Sequence, residues 1–239
     1  MAVDVILGLQ WGDEGKGKIV DYLAENYDLV CRFQGGPNAG HTIKIKDKKY
    51  VLHTIPSGVF RENVINLVGN GVVIDPITFL KELNGLDAAQ IPYRDRLFIA
   101  HKAHLILPTH RLLDAASEAS KGKEKIGSTL KGIGPTYMDK TGRNGLRIGD
   151  VISDDFHTRY HRLKDKHLNL LKQFQVEVDF DLEGEEKKWL ASLEVLKSLN
   201  FVDGEYFIND AINEGKRVLA EGAQGSMLDI DFGLSLIHI

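Results

Sequence analysis

Two consecutive stretches decide the fold: Val3-Asp4-Val5-Ile6-Leu7-Gly8-Leu9, then Gln10-Trp11-Gly12-Asp13-Glu14-Gly15-Lys16-Gly17-Lys18. The first is an apolar run of strand length, and the second is a glycine-rich loop with two lysines. Glycines 12, 15 and 17 let backbone N–H groups turn inward, and the lysines supply the positive charge a polyphosphate needs. Ile19, Val20 and Leu23 then form an apolar stripe that docks a helix on the sheet with its N-terminus toward the ligand. From Gly12 the spacing G-x-x-x-x-G-K ends at Lys18, but Ile19 stands where a nucleotide loop has Ser or Thr for Mg²⁺. Another group has to hold the metal. Asp13 is the candidate, because a carboxylate inside an anion-binding loop repels phosphate unless it binds a cation or takes a proton.

Further apolar runs at Leu29–Phe33, Val64–Val68, Leu97–Ala100 and Arg217–Ala220 read, with Val3–Leu9, as buried strands separated by segments of helical periodicity. The pattern predicts an α/β fold: a mostly parallel sheet with flanking helices and a nucleotide-loop-like phosphate site. Residues 42–46 and 50–54, around Asp47-Lys48-Lys49, alternate polar and apolar and predict a surface hairpin. A helix is expected from Pro76 to Leu86 and another from Leu112 to Ser120. Residues 154–214 read as helical and charged, with Leu163, Leu170, Leu171 and Phe174 on one face. The acidic run Asp179-Phe180-Asp181-Leu182-Glu183-Gly184-Glu185-Glu186 reads as a solvated loop. The organisation is an incomplete single α/β domain over 1–239: a nucleotide-binding sheet region (1–150), a helical subdomain (151–216), a return strand with a glutamine loop (217–233) and an atypical tail (234–239).

A chain of 239 residues with 43% hydrophobic content can bury a full core. The net charge of -4 gives no basic field for nucleic acid or an acidic membrane, so a small anionic ligand fits better. Cys31 is the only cysteine, which excludes an intrachain disulfide; it sits in an apolar run as a core thiol. The start, Met1-Ala2-Val3-Asp4, carries no targeting signal, and no apolar stretch approaches the ~18 residues of a membrane span. A cytoplasmic protein is expected.

A second glycine-rich loop, Gly35-Gly36-Pro37-Asn38-Ala39-Gly40-His41-Thr42, leaves the C-terminal end of a strand beside the first, making a two-ligand crevice. His41 lies between glycine and threonine with nothing apolar nearby in sequence, which favours a role near phosphate. Histidines 53, 101, 104, 110, 157, 161, 167 and 238 lack that context and read as structural or exposed.

Gln10 to Lys18 resembles the signature of the adenylosuccinate synthetases, which join IMP and aspartate at the expense of GTP. The loop at 35–42 resembles that family's second motif. Ile126-Gly127-Ser128-Thr129 with Gly132-Ile133-Gly134-Pro135 resembles a third, and Glu221-Gly222-Ala223-Gln224-Gly225 a fourth. The likeness covers residues 8–233 and a little over half of what the family normally has.

The resemblance implies a catalytic pair. Asp13 would take the N1 proton of IMP as O6 attacks the γ-phosphoryl group of GTP, and His41 would stabilise the leaving bridging oxygen. An ordinary aspartate is a weak base toward a lactam N–H, so proton removal has to accompany the attack. The resulting 6-phosphoryl-IMP then loses phosphate to the aspartate amine. One Mg²⁺ per subunit would bind the Asp13 carboxylate and the Gly40 carbonyl oxygen. GTP would touch Gly12, Asp13, Glu14, Gly15, Lys16, Gly17, Lys18, Gly40, His41 and Thr42. IMP would touch Asp13, Glu14, Gly15, Lys16, Asn38, Ala39, Gly40, His41, Thr129 and Gln224, with Arg143 reaching the IMP phosphate across a homodimer interface.

Three departures accompany the likeness. After Asp229-Ile230-Asp231-Phe232-Gly233 the tail Leu234-Ser235-Leu236-Ile237-His238-Ile239 is unlike the family, and Ile239 stands at an IMP-binding threonine. The part carrying aspartate and guanine recognition is absent, so the chain reads as a truncated, catalytically incomplete form. Leu130 replaces a glycine found in many relatives. The alternative, a nucleotide-binding regulatory module without ligase activity, would call for a Ser or Thr after Lys18 and a guanine-selective motif, and neither is present.

Overall fold

A computed structural model of the chain describes residues 3–45, 48–125 and 127–234. Residues 46–47, Ile126 and the tail residues 235–239, with His238, lie outside them. In chain order the elements begin β1 (Val3–Gly8), α1 (Lys16–Ala24), β2 (Leu29–Gly35), β3 (His41–Ile45), β4 (Lys48–Leu52), β5 (Ile65–Ile74) and α2 (Pro76–Ala88). They continue with β6 (Leu97–Ala100), β7 (His104–Leu105), α3 (Pro108–Ser120), α4 (Ile133–Thr141), α5 (Phe156–Leu171), α6 (Leu182–Leu196), β8 (Asn200–Val202), α7 (Gly204–Asn213) and β9 (Val218–Gly225).

The main sheet runs β1-β9-β2-β5-β6-β8, with β7 beside β5, and every pairing is parallel. The last strand in sequence, β9, threads between β1 and β2. Its residue Glu221 therefore pairs with Ile6 on one side and with Arg32 on the other. This insertion brings the loops after β1, β2 and β9 to one end of the sheet, where ligands bind in open parallel sheets.

All five expected strands form, and β5 and β9 run several residues past the expected ends. β1 is not buried: Val3, Val5 and Leu7 are about half exposed. It is the sheet edge, and among the described residues nothing covers its outer face. On α1 the docking residues are Val20, Leu23 and Ala24, whereas Ile19 is exposed. Asp21 on that helix takes both Nε and a terminal nitrogen of Arg61 at 3.1 Å, which fixes its orientation. The hairpin β3–β4 forms, with Ile43 and Leu52 buried on one side and Val51 exposed.

The 151–216 segment is largely helical but also contributes β8 to the sheet. The main core lies between sheet and helices, where Trp189 of α6 stacks against Phe156 and Tyr160 of α5. Only Leu163 of the expected α5 face is buried; Leu170 and Phe174 line a cavity instead. The acidic run is not a solvated loop. Asp181 caps α6 through Gly184 N–H, Glu185 bonds Arg111 at 2.5 Å, and Glu186 accepts from Tyr160 and Lys164. Charge at the helix start and partners on α3 and α5 give these carboxylates fixed places. Cys31 is buried, and burial pushes its thiol up to about 12. Among the described residues no helix is long and apolar enough to cross a membrane.

Candidate functional site

The loop after β1 closes on the start of α1. Gly15 takes a left-handed φ of 87° and accepts the N–H groups of Lys18 and Ile19, so the helix starts without a side-chain cap. Asp13 also adopts a positive φ, 60°, a conformation aspartate tolerates better than most residues. The loop packs tightly against the end of β9: a Cβ on Gly225 would lie 2.0 Å from the Gln10 carbonyl oxygen, so only glycine fits there. Ser226 Oγ donates to the Gly8 carbonyl, and Met227 N–H to that of Gln10. The first and fourth sequence motifs thus form one structural unit.

A cavity of about 260 Å³ opens at this end of the sheet. Nine of the candidate residues wall it: Asp13, Gly15, Lys16, Gly17 and Lys18 from one side, and Ala39, Gly40, His41 and Thr42 from the other. The Asp13 carboxylate is exposed and makes no hydrogen bond or ion pair among the described residues. Glu14 behaves differently. Its Oε1 accepts from Gln10 N–H at 3.1 Å and Gly12 N–H at 3.0 Å, and its Oε2 meets Lys16 Nζ at 3.2 Å. These bonds, its own amide foremost, hold the Glu14 carboxyl down at about 2. The glutamate folds back onto the loop and occupies groups that would otherwise face an anion.

His41 begins β3 and is buried. Its Nδ1 bonds Glu221 Oε1, while Ser57 Oγ donates to the same oxygen at 2.6 Å and Ser57 N–H to Oε2 at 2.8 Å. Burial opposes ionisation of Glu221, but the bonds from His41 and Ser57 and the charge of Arg32 outweigh it and lower its pKa. A second buried carboxylate, Glu82, accepts the N–H groups of His53, Thr54 and Ile55. Arg32 is wholly buried within electrostatic reach of both carboxylates, with none of its guanidinium nitrogens hydrogen-bonded among the described residues. Burial lowers its pKa, and the two glutamates oppose that. His53 Nδ1–H donates to the Ala39 carbonyl at 2.8 Å and steadies the second loop. In sequence Glu221 was only part of a motif, and Arg32, Ser57, His53 and Glu82 carried no signal, because nothing in a linear reading brings them together.

A larger cavity of about 1130 Å³ adjoins the loops after β2 and β9, lined by Asn38, Ser128, Thr129, Gln224, Leu170 and Phe174 among others. Two carboxylates of α3 hold its glycine-rich wall. Glu118 accepts from Gly127 and Ser128 N–H, and Asp114 from Gly132 N–H and Ser128 Oγ. Leu130 in this loop adopts φ 55° and is exposed. Arg143, exposed at φ 59° beyond α4, lines neither cavity. At the edge of the same cavity, which Asp139, Lys166 and His167 help to line, Asp139 gathers His110 Nε2 at 2.9 Å, His167 Nε2 at 2.7 Å and Lys166 Nζ at 2.6 Å. Asp139 and the two histidines have the spacing of a metal centre. However, His110 Nδ1 accepts Leu107 N–H at 2.9 Å, so its Nε2 carries the hydrogen and has no lone pair for an ion. The cluster is a buried brace that joins α3, α4 and α5.

The adenylosuccinate synthetase family profile matches residues 5–235. The chain belongs to the adenylosuccinate synthetase family. It is 63% identical over 233 residues to the adenylosuccinate synthetase of Christiangramia forsetii, covering 98% of this chain and 55% of that protein. The Flavobacterium johnsoniae adenylosuccinate synthetase is 60% identical with the same coverage. The fully ligated adenylosuccinate synthetase of Plasmodium falciparum superposes with a TM-score of 0.86 at 41% identity, over 97% of this chain and 53% of that one. The chain spans about half the length of the curated relatives it matches.

Proposed function

We propose that this chain supplies the GTP-phosphate site and part of the IMP site of a cytoplasmic ligase that joins IMP to L-aspartate, giving adenylosuccinate, GDP and phosphate. The observation that carries the reading is the pair of adjoining cavities at the ends of β1, β2 and β9. The smaller is walled by Asp13, Lys16, Lys18 and His41, and the larger by Asn38, Thr129 and Gln224. The larger, about 1130 Å³, lies just above the roughly 300–1,000 Å³ usual for ligand pockets, which suits a whole nucleotide. A phosphate switch without a second substrate leaves that cavity unexplained.

Phosphoryl transfer needs alignment and charge neutralisation more than covalent help from the protein. Lys16, Lys18 and the amides opening α1 line up the triphosphate. Asp13 takes the N1 proton of IMP as O6 attacks the γ-phosphorus, and the bridging oxygen leaves toward His41. The aspartate amine then displaces phosphate at C6. The free Asp13 carboxylate and the Gly40 carbonyl form an oxygen donor set that suits Mg²⁺, which would neutralise the triphosphate oxygens. Glu14, Gly12 and Thr42 border the GTP phosphates, and Ala39 and Gly15 the IMP side. Arg143, exposed and outside both cavities, acts on the IMP phosphate of a second subunit in a homodimer.

Thermal unfolding with Mg²⁺-GTP, with IMP and with both tests the reading. A cooperative transition raised by each ligand, more by the two together and less in Asp13→Ala, is expected. A transition indifferent to both ligands would overturn it.

A further inference from the structure

We infer that Glu221 is a positioning residue whose carboxylate fixes which nitrogen of His41 carries the hydrogen and leaves Nε2 as the nitrogen available to the phosphate cavity. The inference rests on the reading of that cavity given above and names a residue that reading does not use.

Three groups meet the Glu221 carboxylate: His41 Nδ1 and Ser57 Oγ at Oε1, and Ser57 N–H at Oε2. The last is a backbone amide and can only donate, and the hydroxyl spends its hydrogen on Oε1. An ionised carboxylate offers acceptors alone, so Nδ1 has to bring the hydrogen. The ring is then held in one tautomer and one orientation. Nε2 is its remaining polar atom, buried and without a partner among the described residues, in a side chain that lines the cavity. Gly17 backs the ring: a Cβ there would lie 2.5 Å from the Cβ of His41. Ring position is thus set from one side by α1 and from the other by β9. Because β9 is threaded between β1 and β2, the loop after β1, Arg32 and Glu221 keep a fixed relation.

The inference predicts the effect of an isosteric change. In Glu221→Gln the side-chain oxygen has to face Ser57 N–H, which cannot accept. The new NH₂ group then points at Nδ1 and donates to it, so the hydrogen of the neutral ring moves to Nε2. Ser57→Ala removes one donor and leaves the His41–Glu221 contact in place, so it controls for disturbance of the buried cluster.

The test is ¹⁵N NMR of the histidine side chains in the wild-type chain and in both variants, with and without Mg²⁺-GTP. The expected result is hydrogen on Nδ1 in wild type and Ser57→Ala and on Nε2 in Glu221→Gln. Hydrogen on Nε2 in wild type, or an unchanged tautomer in folded Glu221→Gln, overturns the inference. Should Glu221→Gln fail to fold, the wild-type and Ser57→Ala spectra decide it. If Mg²⁺-GTP leaves the wild-type His41 signals unmoved, the nucleotide reading of the cavity fails while the tautomer result stands by itself.

Discussion

Lys16 Nζ lies 3.2 Å from Glu14 Oε2, so the best-buried lysine of the phosphate loop is paired with a carboxylate from the same loop. The other Glu14 oxygen covers two loop amides. An incoming phosphate competes with this internal anion for Lys16, which lines the cavity. Glu14→Gln removes the competing charge and should bind inorganic pyrophosphate more tightly than wild type, with a stronger dependence on salt. Calorimetric titration at two ionic strengths reads both, and weaker binding by the variant would count against competition.

Gly17→Ala brings a methyl group within 2.5 Å of the His41 Cβ and 3.0 Å of Ser57 Oγ. The helix backbone tolerates alanine, but the contact forces His41 to move. A destabilisation of about 1–3 kcal/mol is expected, together with loss of the stabilisation that the ligand confers on the wild-type chain. Urea unfolding with and without Mg²⁺-GTP measures the two effects separately.

Arg32 makes no hydrogen bond of its own among the described residues, and its charge acts on both Glu221 and Glu82 in the core. Arg32→Met keeps much of the volume and removes a charge that favours the ionised form of Glu221 and opposes the upward push that burial gives the Glu82 carboxyl. The cost should be about 3–5 kcal/mol in denaturant unfolding, the usual penalty for breaking a buried charge set. A change below about 1 kcal/mol would show that Arg32 is not the compensating charge.

Acid should destabilise the fold in two windows. Burial first, with nearby Lys140 and Arg147, holds His104 down at about 4, and burial holds His110 down at about 4 despite its bond to Asp139. Both are neutral in the folded chain and would protonate near 6.5 when unfolded. The unfolded state binds more protons between these values, so stability present above about 6.5 is lost as pH falls toward 4, by up to about 1.4 kcal/mol per unit for each histidine. Asp139 is held below its ordinary value because the bonds from His110, His167 and Lys166 outweigh burial, so its contribution is lost at still lower pH. Melting temperatures from pH 8 to 4 should decline below about 6.5, and His104→Asn should make that decline shallower throughout.

Leu130 sits at φ 55° with its side chain exposed, a left-handed conformation that costs a branched residue about 1–2 kcal/mol. Leu130→Gly relieves that strain but adds freedom to the unfolded chain, about 0.4–1 kcal/mol the other way. The net change should be neutral to stabilising by about 1 kcal/mol. Chemical denaturation reads it, and a clear loss of stability would show that the exposed side chain has a packing role.

The sequence by itself determined the α/β class, the position of each long strand and the two glycine loops, because each rests on a local pattern. A strand-length apolar run, glycines without a Cβ and lysines beside them carry their meaning within a dozen residues. The family likeness was likewise legible in four short motifs. It could not give the short strands β7 and β8, two and three residues long, whose pairing partners lie far away in the chain. Nor did it give α4, whose glycine-proline start reads as a loop until α3 and β5 hold it. The exposed face of β1 also escaped it: apolar composition reads as burial, but position in the sheet decides whether neighbours exist to cover a strand.

Tertiary structure alone decided which groups act together. Only the threading of β9 between β1 and β2 brings Glu221 to His41 across 180 residues and sets Arg32 beside it. Glu14, which the sequence placed among the phosphate ligands, turns its charge onto its own loop. The reason is physical: backbone conformation follows from local sterics and hydrophobic period. The partner of a buried charge is chosen by a low-dielectric interior that admits no unpaired ion, whatever the separation along the chain.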